Sequence, residues 1–245
     1  MTPPVPKAFI SWSSGKDSAF ALLEARRLGF ADIVGVLTTI SEVHDRVSMH
    51  GVRNALLDRQ IAALNLPCLK VSLPNPCSNE TYERRMAAAI ARIKSAGVNH
   101  IVFGDLFLDD VRAYREEKLA AADMTGIFPL WRRDTLSLAK EMIARALSLI
   151  SLRSIRESLI AVSPDAPTIT ILAALPSGVD PCGKNGEFHT FVSSCPMFRG
   201  ADPDHDRPDR RKRQFHLRRC RTTGSIRAQF YGNGFGCLLR RPEMG

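Results

Sequence analysis

The first half of the chain alternates between short apolar runs and amphipathic stretches. The apolar runs end in turn-forming residues and predict four buried strands, at residues 7–12, 32–39, 68–73 and 100–105. Between them, apolar residues recur at spacings of three and four, which is typical of helices with one buried face. Those helices are predicted from Ser18 to a stop at Gly29, over 51–65, from an N-cap at Ser78 through Ile93, and over 109–122.

The order of these elements predicts the fold class. Strands that alternate with helices of this length form right-handed βαβ units, so we expect an α/β fold with a parallel sheet and helices on both faces. Ligands of such sheets bind outside the carboxyl ends of the strands. Residues 13–18 and 104–112 each follow a predicted strand. We therefore expect these two segments to contribute to one site.

The pattern weakens in the second half of the chain. Residues 143–172 are rich in Leu, Ser and Ile but keep no single period, and residues past 198 show no apolar stripe. We predict a main domain over residues 1–142 and a smaller, partly degenerate lobe over 143–198. A disordered basic tail is predicted over 199–245.

The formal net charge of +9 is concentrated in that tail. Residues 199–245 hold 12 Lys/Arg against 5 Asp/Glu, which leaves +2 for the rest of the chain. A basic face on the folded body, as nucleic-acid binding requires, is therefore not indicated.

No run approaches the roughly 18 apolar residues of a membrane span, and the start lacks the apolar core of a signal peptide, so we expect a soluble cytoplasmic protein. The six cysteines include no C-x-x-C pair, which disfavours a zinc site or a disulfide framework.

Residues 13–18, Ser-Ser-Gly-Lys-Asp-Ser, join the first predicted strand to the first predicted helix. Backbone N–H groups and the helix dipole favour an anion at a helix N-terminus. The three serines add hydroxyl donors, Gly15 permits close backbone approach, and Lys16 adds a mobile positive charge. An ordinary P-loop has Ser or Thr directly after the lysine, where this chain has Asp17. The structural alternative is a solvated Ser/Gly turn that caps the helix.

The stretch resembles the PP-loop, S-G-G-x-D-S, of the ATP pyrophosphatase superfamily, with Ser14 in place of the first glycine. Later stretches follow the order seen in the diphthine–ammonia ligase family. They are SMHGV (48–52), GDLFLDDVRAYREEKL (104–119) with PLWRRDT (129–135) behind it, and GVDPCGKNGEFHTFV (178–192). The resemblance covers about residues 7–142 and 173–192. It implies an adenine nucleotide alpha hydrolase-like fold with the PP-loop in the main domain.

The resemblance also implies an activity. Enzymes of this family transfer AMP from ATP to a carboxylate, release pyrophosphate and let ammonia displace the AMP. ATP, Mg²⁺, ammonia and a carboxylate acceptor are the implied ligands, and the family name points to diphthine on a translation elongation factor. The alternatives are a PP-loop tRNA-modifying enzyme and a nucleotide-binding protein with impaired catalysis. The sequence leaves the oligomeric state open.

On the nucleotide side, the resemblance assigns residues from both predicted strand ends. The pyrophosphate would be held by Ser13, Ser14, Gly15, Lys16, Asp17 and Ser18, with Gly104, Asp105 and Arg112 beside the adenylate. Asp17 would orient the loop or hold magnesium. The Arg112 guanidinium suits a phosphate or a carboxylate, because its fork binds either in bidentate fashion.

On the substrate side, the resemblance assigns a second group, namely His50, Glu116, Gly183, Gly186 and Thr190. Glu187 or His189 is our candidate catalytic base toward ammonia, since ammonium must lose a proton before it attacks. Two alternatives stay open: Arg112 and Glu116 can form an ordinary i,i+4 surface pair, and His50 can be an ordinary loop histidine.

The chain departs from the family pattern in three places. Lys184 stands where the family usually has Glu, which reverses a charge near the predicted substrate side. The strand and helix that the family pattern requires between about 146 and 171 are not evident, and the resemblance does not return after residue 198. A shifted reading frame in both segments is our hypothesis for this loss, with genuine divergence as the alternative.

Overall fold

The computed structural model describes residues 4–154, 175 and 177–199. Its strands are β1 (Lys7–Ser11), β2 (Asp32–Ser41), β3 (Arg46–Val47), β4 (Cys68–Leu73), β5 (His100–Val102), β6 (Thr125–Ile127), β7 (Ser148–Ser154) and β8 (Phe188–Ser194). Its helices are α1 (Lys16–Arg27), α2 (Asn54–Leu64), α3 (Asn79–Ser95), α4 (Asp109–Ala120) and α5 (Thr135–Ala144). None of the helices in these ranges combines the length and the apolar character that crossing a bilayer needs.

The main sheet is built on β1. Parallel pairing gives the strand order β4-β2-β1-β5-β6, and the short β3 pairs antiparallel with the carboxyl end of β2. From β1 the chain builds β2 and β4 on one side and then crosses to β5 and β6 on the other. The strand order therefore reverses beside β1, and ligands of open α/β sheets bind at such a reversal.

Apolar side chains cover both faces of this sheet. Neighbouring residues of one strand enter opposite clusters, because successive side chains of a strand point to opposite faces. Val36 and Val102 lie in the cluster with α1, α2 and α5, whereas Leu37 and Ile101 lie in the cluster with α3 and α4. The predicted α/β class, with helices on both faces of a parallel sheet, is confirmed for this part of the chain.

Most element boundaries fall within two or three residues of the prediction. The strand at 68–73 has its predicted ends, and the Ser78 Oγ caps α3 by accepting from Thr81 N at 3.2 Å. The start of α1 matters most for the site. Ala19 N donates to Gly15 O at 3.2 Å, so the helix begins at Lys16 and the second half of the loop is its first turn.

Five elements of the described residues went unpredicted. Strands β3 and β6 have two and three residues, too few to show a period. Helix α5 follows an N-cap at Asp134, whose carboxylate accepts from Ser137 N at 2.8 Å. The sequence did not indicate a strand between about 146 and 171, but β7 forms at Ser148–Ser154 by pairing with the distant β8, which was not predicted either.

The second, two-stranded sheet is tied to the first. Val192 N of β8 donates to Ser14 O at 3.0 Å, and Arg199 N donates to Ala63 O at 2.7 Å in the last turn of α2. The basic tail from residue 200 onward and the rest of the stretch assigned to a shifted frame, residues 155–171, lie outside the described residues.

Candidate active site

The loop between β1 and α1 lies at the reversal of strand order, against the carboxyl end of β5. A Cβ added to Gly104 would come within 2.7 Å of both the carbonyl carbon and the oxygen of Asp17, and within 2.9 Å of Ser18 N. Only a glycine permits this backbone contact, because real Cβ atoms do not approach that closely. The structure thus brings together the two segments that the sequence predicted to share a site.

Ser14 gives the loop its shape. Its φ is 68°, in the left-handed region that glycine adopts without strain, and it stands where the PP-loop motif has its first glycine. The residue is 0% exposed, and its Oγ has no hydrogen-bond partner among the described residues. The structure shows that Ser14 forms the turn of the backbone, and the contact of its hydroxyl with phosphate stays a prediction.

The hydroxyls of Ser13 and Ser18 brace the loop from within. Ser18 Oγ donates to Gly15 O at 2.9 Å and accepts from Ser13 N at 3.3 Å. The two Oγ atoms lie 3.2 Å apart, and Ser13 Oγ accepts a long bond from Gly15 N at 3.4 Å. The first N–H groups of α1 have no acceptor within the helix, which leaves this end of the loop suited to an anion.

Lys16 and Asp17 form an ion pair on the first turn of α1. Lys16 Nζ lies 2.8 Å from Asp17 Oδ2, and the lysine side chain is only 7% exposed. The other carboxylate oxygen, Asp17 Oδ1, is buried and has no hydrogen-bond partner among the described residues. That oxygen is the atom available to a cation or a donor from a ligand. Within those residues, no cluster of three or more His, Cys, Asp or Glu is placed to hold a metal by itself.

Asp105 is held by Arg115, which sequence reasoning missed. Arg115 Nε lies 2.9 Å from Asp105 Oδ2, and its guanidinium lies 4.3 Å from the centre of the Phe103 ring. Burial raises the pKa of Asp105, Arg115 opposes that change, and the nearby charge of Asp17 adds to it. The Asp105 carboxylate at the end of β5 therefore experiences both the positive charge of Arg115 and the negative charge of Asp17.

Arg112 and Glu116 form the i,i+4 pair that the sequence left as an alternative. Arg112 Nε donates to Glu116 Oε1 at 2.8 Å, and the guanidinium lies 4.6 Å from the Phe128 ring centre and 4.8 Å from that of Trp131. In the described ranges, no hydrogen bond or ion pair joins either residue to the loop at 13–18. The structure therefore packs the Arg112 guanidinium against the Phe128 and Trp131 rings, and its place beside the adenylate stays a prediction.

Residues 178–187 form a turn organised by its acidic residues. Glu187 Oε1 accepts from Asp180 N at 3.1 Å and Glu187 Oε2 from Asn185 N at 2.9 Å. Burial acts to raise the pKa of Glu187, but these hydrogen bonds outweigh it and lower the pKa. A carboxylate stabilised in this way is a poor proton acceptor. Gly183 and Gly186 have φ values of 64° and 80°, so both shape this turn.

Strand β8 lies directly over the loop. Thr190 Oγ1 accepts from Lys16 N at 3.1 Å, which occupies one N–H group of the first turn. His50 packs against the other side, since a Cβ on Gly15 would lie 2.4 Å from His50 Cε1. The rings of His50 and His189 lie 4.8 Å apart. The structure thus collects His50, His189 and Thr190 around the loop.

The histidine at 50 is electrically neutral in this environment. Burial, together with the neighbouring His189 and Lys16, lowers its pKa to about 3. A neutral imidazole beside a loop suited to anions can donate or accept a hydrogen bond without adding charge.

Gln60 and Asp180 are two further buried polar residues that sequence reasoning did not single out. The Gln60 amide contacts both the loop and β8, and the Asp180 carboxylate accepts from Thr135 Oγ1 and Cys182 N, each at 2.8 Å. The sequence contained an indication of both Gln60 and Asp180. Gln60 lies among the apolar positions of a predicted helix, and Asp180 lies inside the stretch 178–192.

The chain is similar to known diphthamide-pathway proteins. Residues 6–120 match the family model described as the diphthamide synthase N-terminal domain. A diphthine–ammonia ligase of Danio rerio is 24% identical over 211 residues, which cover 76% of this chain and 82% of that protein. These findings confirm the resemblance to the diphthine–ammonia ligase family.

Replacing Ser14 by glycine is expected to stabilise the fold. The Ser14→Gly variant removes a left-handed non-glycine residue and a buried hydroxyl without a partner, so the free energy of unfolding should rise by about 1 kcal/mol. Urea unfolding at neutral pH measures the change. Ser13→Gly is the matched control, because φ at Ser13 is not positive and its hydroxyl is bonded. That variant should lose stability; a loss in both would contradict the strain at Ser14.

His50 is expected to destabilise the fold in acid. Because folding lowers its pKa from 6.5 to about 3, the unfolded chain takes up the proton first, and stability is lost as the pH falls below 6.5. Between pH 7 and pH 5 this costs about 2 kcal/mol. His50→Gln should lose about that much less than the wild type in paired urea titrations. Equal losses in the two proteins would show that His50 titrates normally.

Substituting Gly104 is expected to disturb the contact between β5 and α1. In Gly104→Ala the new Cβ meets backbone atoms, which cannot rotate away, so the free energy of unfolding should fall by about 1–3 kcal/mol. Gly126→Ala is the control, since the nearest atoms to its Cβ belong to side chains, namely the Phe128 ring at 2.7 Å and Leu119 Cδ1 at 3.5 Å. Urea unfolding should show a smaller loss there. Equal losses would mean that the Gly104 contact is not tight.

Proposed function

We propose that this protein is an ATP-dependent, AMP-forming ligase that converts a carboxylate into an amide with ammonia, as in diphthine–ammonia ligase. The observation that carries the proposal is the first turn of α1, formed by the PP-loop-like stretch and set where the strand order of the sheet reverses. A helix N-terminus at this point is suited to the outer phosphates of ATP. The similarity to the Danio rerio ligase supports the same reaction class.

In the first step, the chain would hold ATP by its outer phosphates. The N–H groups of the first turn and Lys16 Nζ would bind the β and γ phosphates, with the α phosphate toward Gly104. An acceptor carboxylate oxygen then attacks the α phosphorus, and the bond from that phosphorus to the bridging oxygen breaks. Pyrophosphate leaves with the negative charge, which the same N–H groups and Lys16 stabilise.

The residues present fit a magnesium ion held partly by the nucleotide. Mg²⁺ prefers oxygen ligands and is often bound by one or two carboxylates together with phosphate oxygens. Asp17 Oδ1, buried and without a partner among the described residues, is the oxygen that would bind it. When bound, Mg²⁺ offsets phosphate charge.

In the second step, ammonia would displace AMP from the acyl adenylate. The new carbon–nitrogen bond forms as the carbon–oxygen bond to AMP breaks, and the nitrogen gives up a proton. His189 is the candidate base that we favour, because its ring faces His50 beside the loop. Glu187 is less suited, since hydrogen bonds from the turn lower its pKa. The acceptor that we propose is diphthine on a translation elongation factor, which places the reaction in the cytoplasm.

The tRNA-modification alternative has little support from the described residues. Sulfur transfer needs a reactive thiolate, and a low pKa is what makes a cysteine reactive. Burial instead raises the pKa of Cys182 to about 12 and that of Cys195 to about 11. A nucleotide-binding protein without chemistry is separated from a ligase by the experiment that follows.

Isotope exchange between pyrophosphate and ATP tests the proposal. With an elongation factor that carries diphthine, the wild type should exchange label and form AMP. Lys16→Met and Asp17→Asn should each lower exchange about 100-fold or more, because each removes a group that contacts the leaving pyrophosphate or its cation. Far-ultraviolet circular dichroism should show intact folds.

Lys118→Met is the matched control for this experiment. Lys118 pairs with Glu83 on the outer face of α3 and α4, so its loss should leave exchange unchanged. Formation of ADP and orthophosphate in place of AMP would overturn the proposal. Full exchange in both loop variants would instead overturn the assignment of the loop.

A further inference from the structure

Gln60 is a buried amide among apolar side chains of α2. Its residue is 3% exposed, and Leu57 and Leu64 on the same helix are buried beside it. Burying an amide without hydrogen bonds costs about 1–3 kcal/mol, so such a residue in a core is expected to have partners. Each of its partners lies in or next to the loop at 13–18 or on β8.

The chemistry of those partners fixes the orientation of the amide. Trp12 Nε1, which only donates, lies 3.0 Å from Gln60 Oε1. The carbonyl oxygens of Ser14 and Val192, which only accept, lie 3.3 Å and 2.7 Å from Gln60 Nε2. A flipped amide would place donor against donor and acceptor against acceptor. Gln60 therefore uses both N–H groups to hold two backbone carbonyls.

The position of the Ser14 carbonyl determines the direction in which the next N–H group, that of Gly15, points. Ser14 O accepts from Gln60 Nε2 and from Val192 N, the latter at 3.0 Å. In a trans peptide the carbonyl and the following N–H point in opposite directions. With Ser14 O held toward the core and β8, Gly15 N–H is turned toward the opposite side, where its bond to Ser13 Oγ is long at 3.4 Å.

The peptide between Ser14 and Gly15 keeps this orientation only if neighbouring groups hold it. Ser14 has a left-handed backbone with φ of 68°, a conformation that costs a non-glycine residue about 1–2 kcal/mol and persists only where the surroundings impose it. Val192 N and the Gln60 amide are the groups seen to impose it. If one is removed, the peptide between Ser14 and Gly15 can relax, and Gly15 N–H turns away from the ligand.

We infer that Gln60 is a positioning residue for polyphosphate binding: it fixes the peptide between Ser14 and Gly15 so that Gly15 N–H faces the bound phosphates. The inference rests on the proposed function in placing polyphosphate on this loop. Gln60 is buried and bonds to the Trp12 side chain and to two backbone carbonyls, so its effect passes through the loop backbone. It should therefore change the affinity for polyphosphate more than it changes the rate of the chemical step.

Inorganic pyrophosphate is the direct probe. Gln60→Met keeps the length of the side chain and removes both donors, so the affinity for pyrophosphate, measured by calorimetry on the folded protein, should fall about tenfold. The KM for ATP in the exchange assay should rise by the same factor, while kcat changes less than about twofold. A purely structural role would instead lower kcat in step with the folded fraction and leave KM unchanged, and that result would overturn the inference.

Trp12→Phe is the matched control. It removes the donor to Gln60 Oε1 and leaves both donors of Gln60 in place, so the affinity for pyrophosphate should change less than about twofold. An effect as large as that of Gln60→Met would mean that packing around the amide matters and not its bond to Ser14 O. The inference would then be wrong.

Gln60→Glu provides a second variant if Gln60→Met does not fold. A protonated Glu can still donate one hydrogen bond, whereas an ionised one cannot donate and repels the two carbonyls. The ratio of wild-type to variant affinity for pyrophosphate should therefore rise with pH. A ratio that stays constant with pH would contradict the inference.

The two proposals fail in different ways. If the wild type binds pyrophosphate but makes no AMP, and Gln60→Met loses binding, the proposed ligase reaction fails and the role of Gln60 stands. If the wild type makes AMP and Gln60→Met binds pyrophosphate normally, the role of Gln60 fails and the ligase proposal stands. A wild type that binds no pyrophosphate overturns the role of Gln60.

Discussion

The left-handed turn at Ser14 is the constraint on which the rest of the site depends. A serine with φ of 68° is held there by Val192 N and the Gln60 amide, which both donate to Ser14 O. These bonds come from a helix 46 residues away along the chain and from a strand about 180 residues away. The loop at 13–18, at the start of α1, is short in sequence. It is held in its observed conformation by residues that are distant along the chain. Its geometry depends on α2 and β8 together.

Because of these contacts, the loop in the predicted main domain depends on the predicted carboxyl-terminal lobe. Residues 1–142 contain the main sheet and the loop, but Thr190 Oγ1 accepts from Lys16 N, and the His189 ring lies 4.8 Å from that of His50. Strand β8 thus forms part of the walls of the proposed nucleotide site. Its own pairing with β7, which starts at Ser148, ties the carboxyl-terminal lobe to that role. Damage to the lobe would reach the first turn of α1 through these contacts, even where the parallel sheet stays intact.

Local pattern was enough for four strands of the parallel sheet and for the position of the loop, but not for the contacts that shape the site. Strands such as Cys68–Leu73 and the cap at Ser78 follow from apolar runs and side-chain chemistry within a few residues. Strand β7 could not be predicted, because its pairing with β8 spans a long separation. Arg115 and Gln60 were missed for the same reason, since their partners are distant in sequence. Glu187 was assigned as a candidate base from its motif, and only the structure shows the hydrogen bonds that lower its pKa.

The charged side chains at the loop are already paired with one another without a nucleotide. A bound nucleotide would therefore have to compete with these ion pairs. Lys16 pairs with Asp17, and Asp105 pairs with Arg115, while burial and then the charge of Asp17 raise the pKa of Asp105. A polyphosphate bound here, as we propose, would bring several negative charges to the loop and compete with Asp17 for Lys16. Asp17 would then lie beside phosphate with its carboxylate uncompensated, and a cation on Oδ1 would relieve that repulsion. Binding of the nucleotide and of the cation should therefore be coupled, because each removes the electrostatic cost that the other would meet alone.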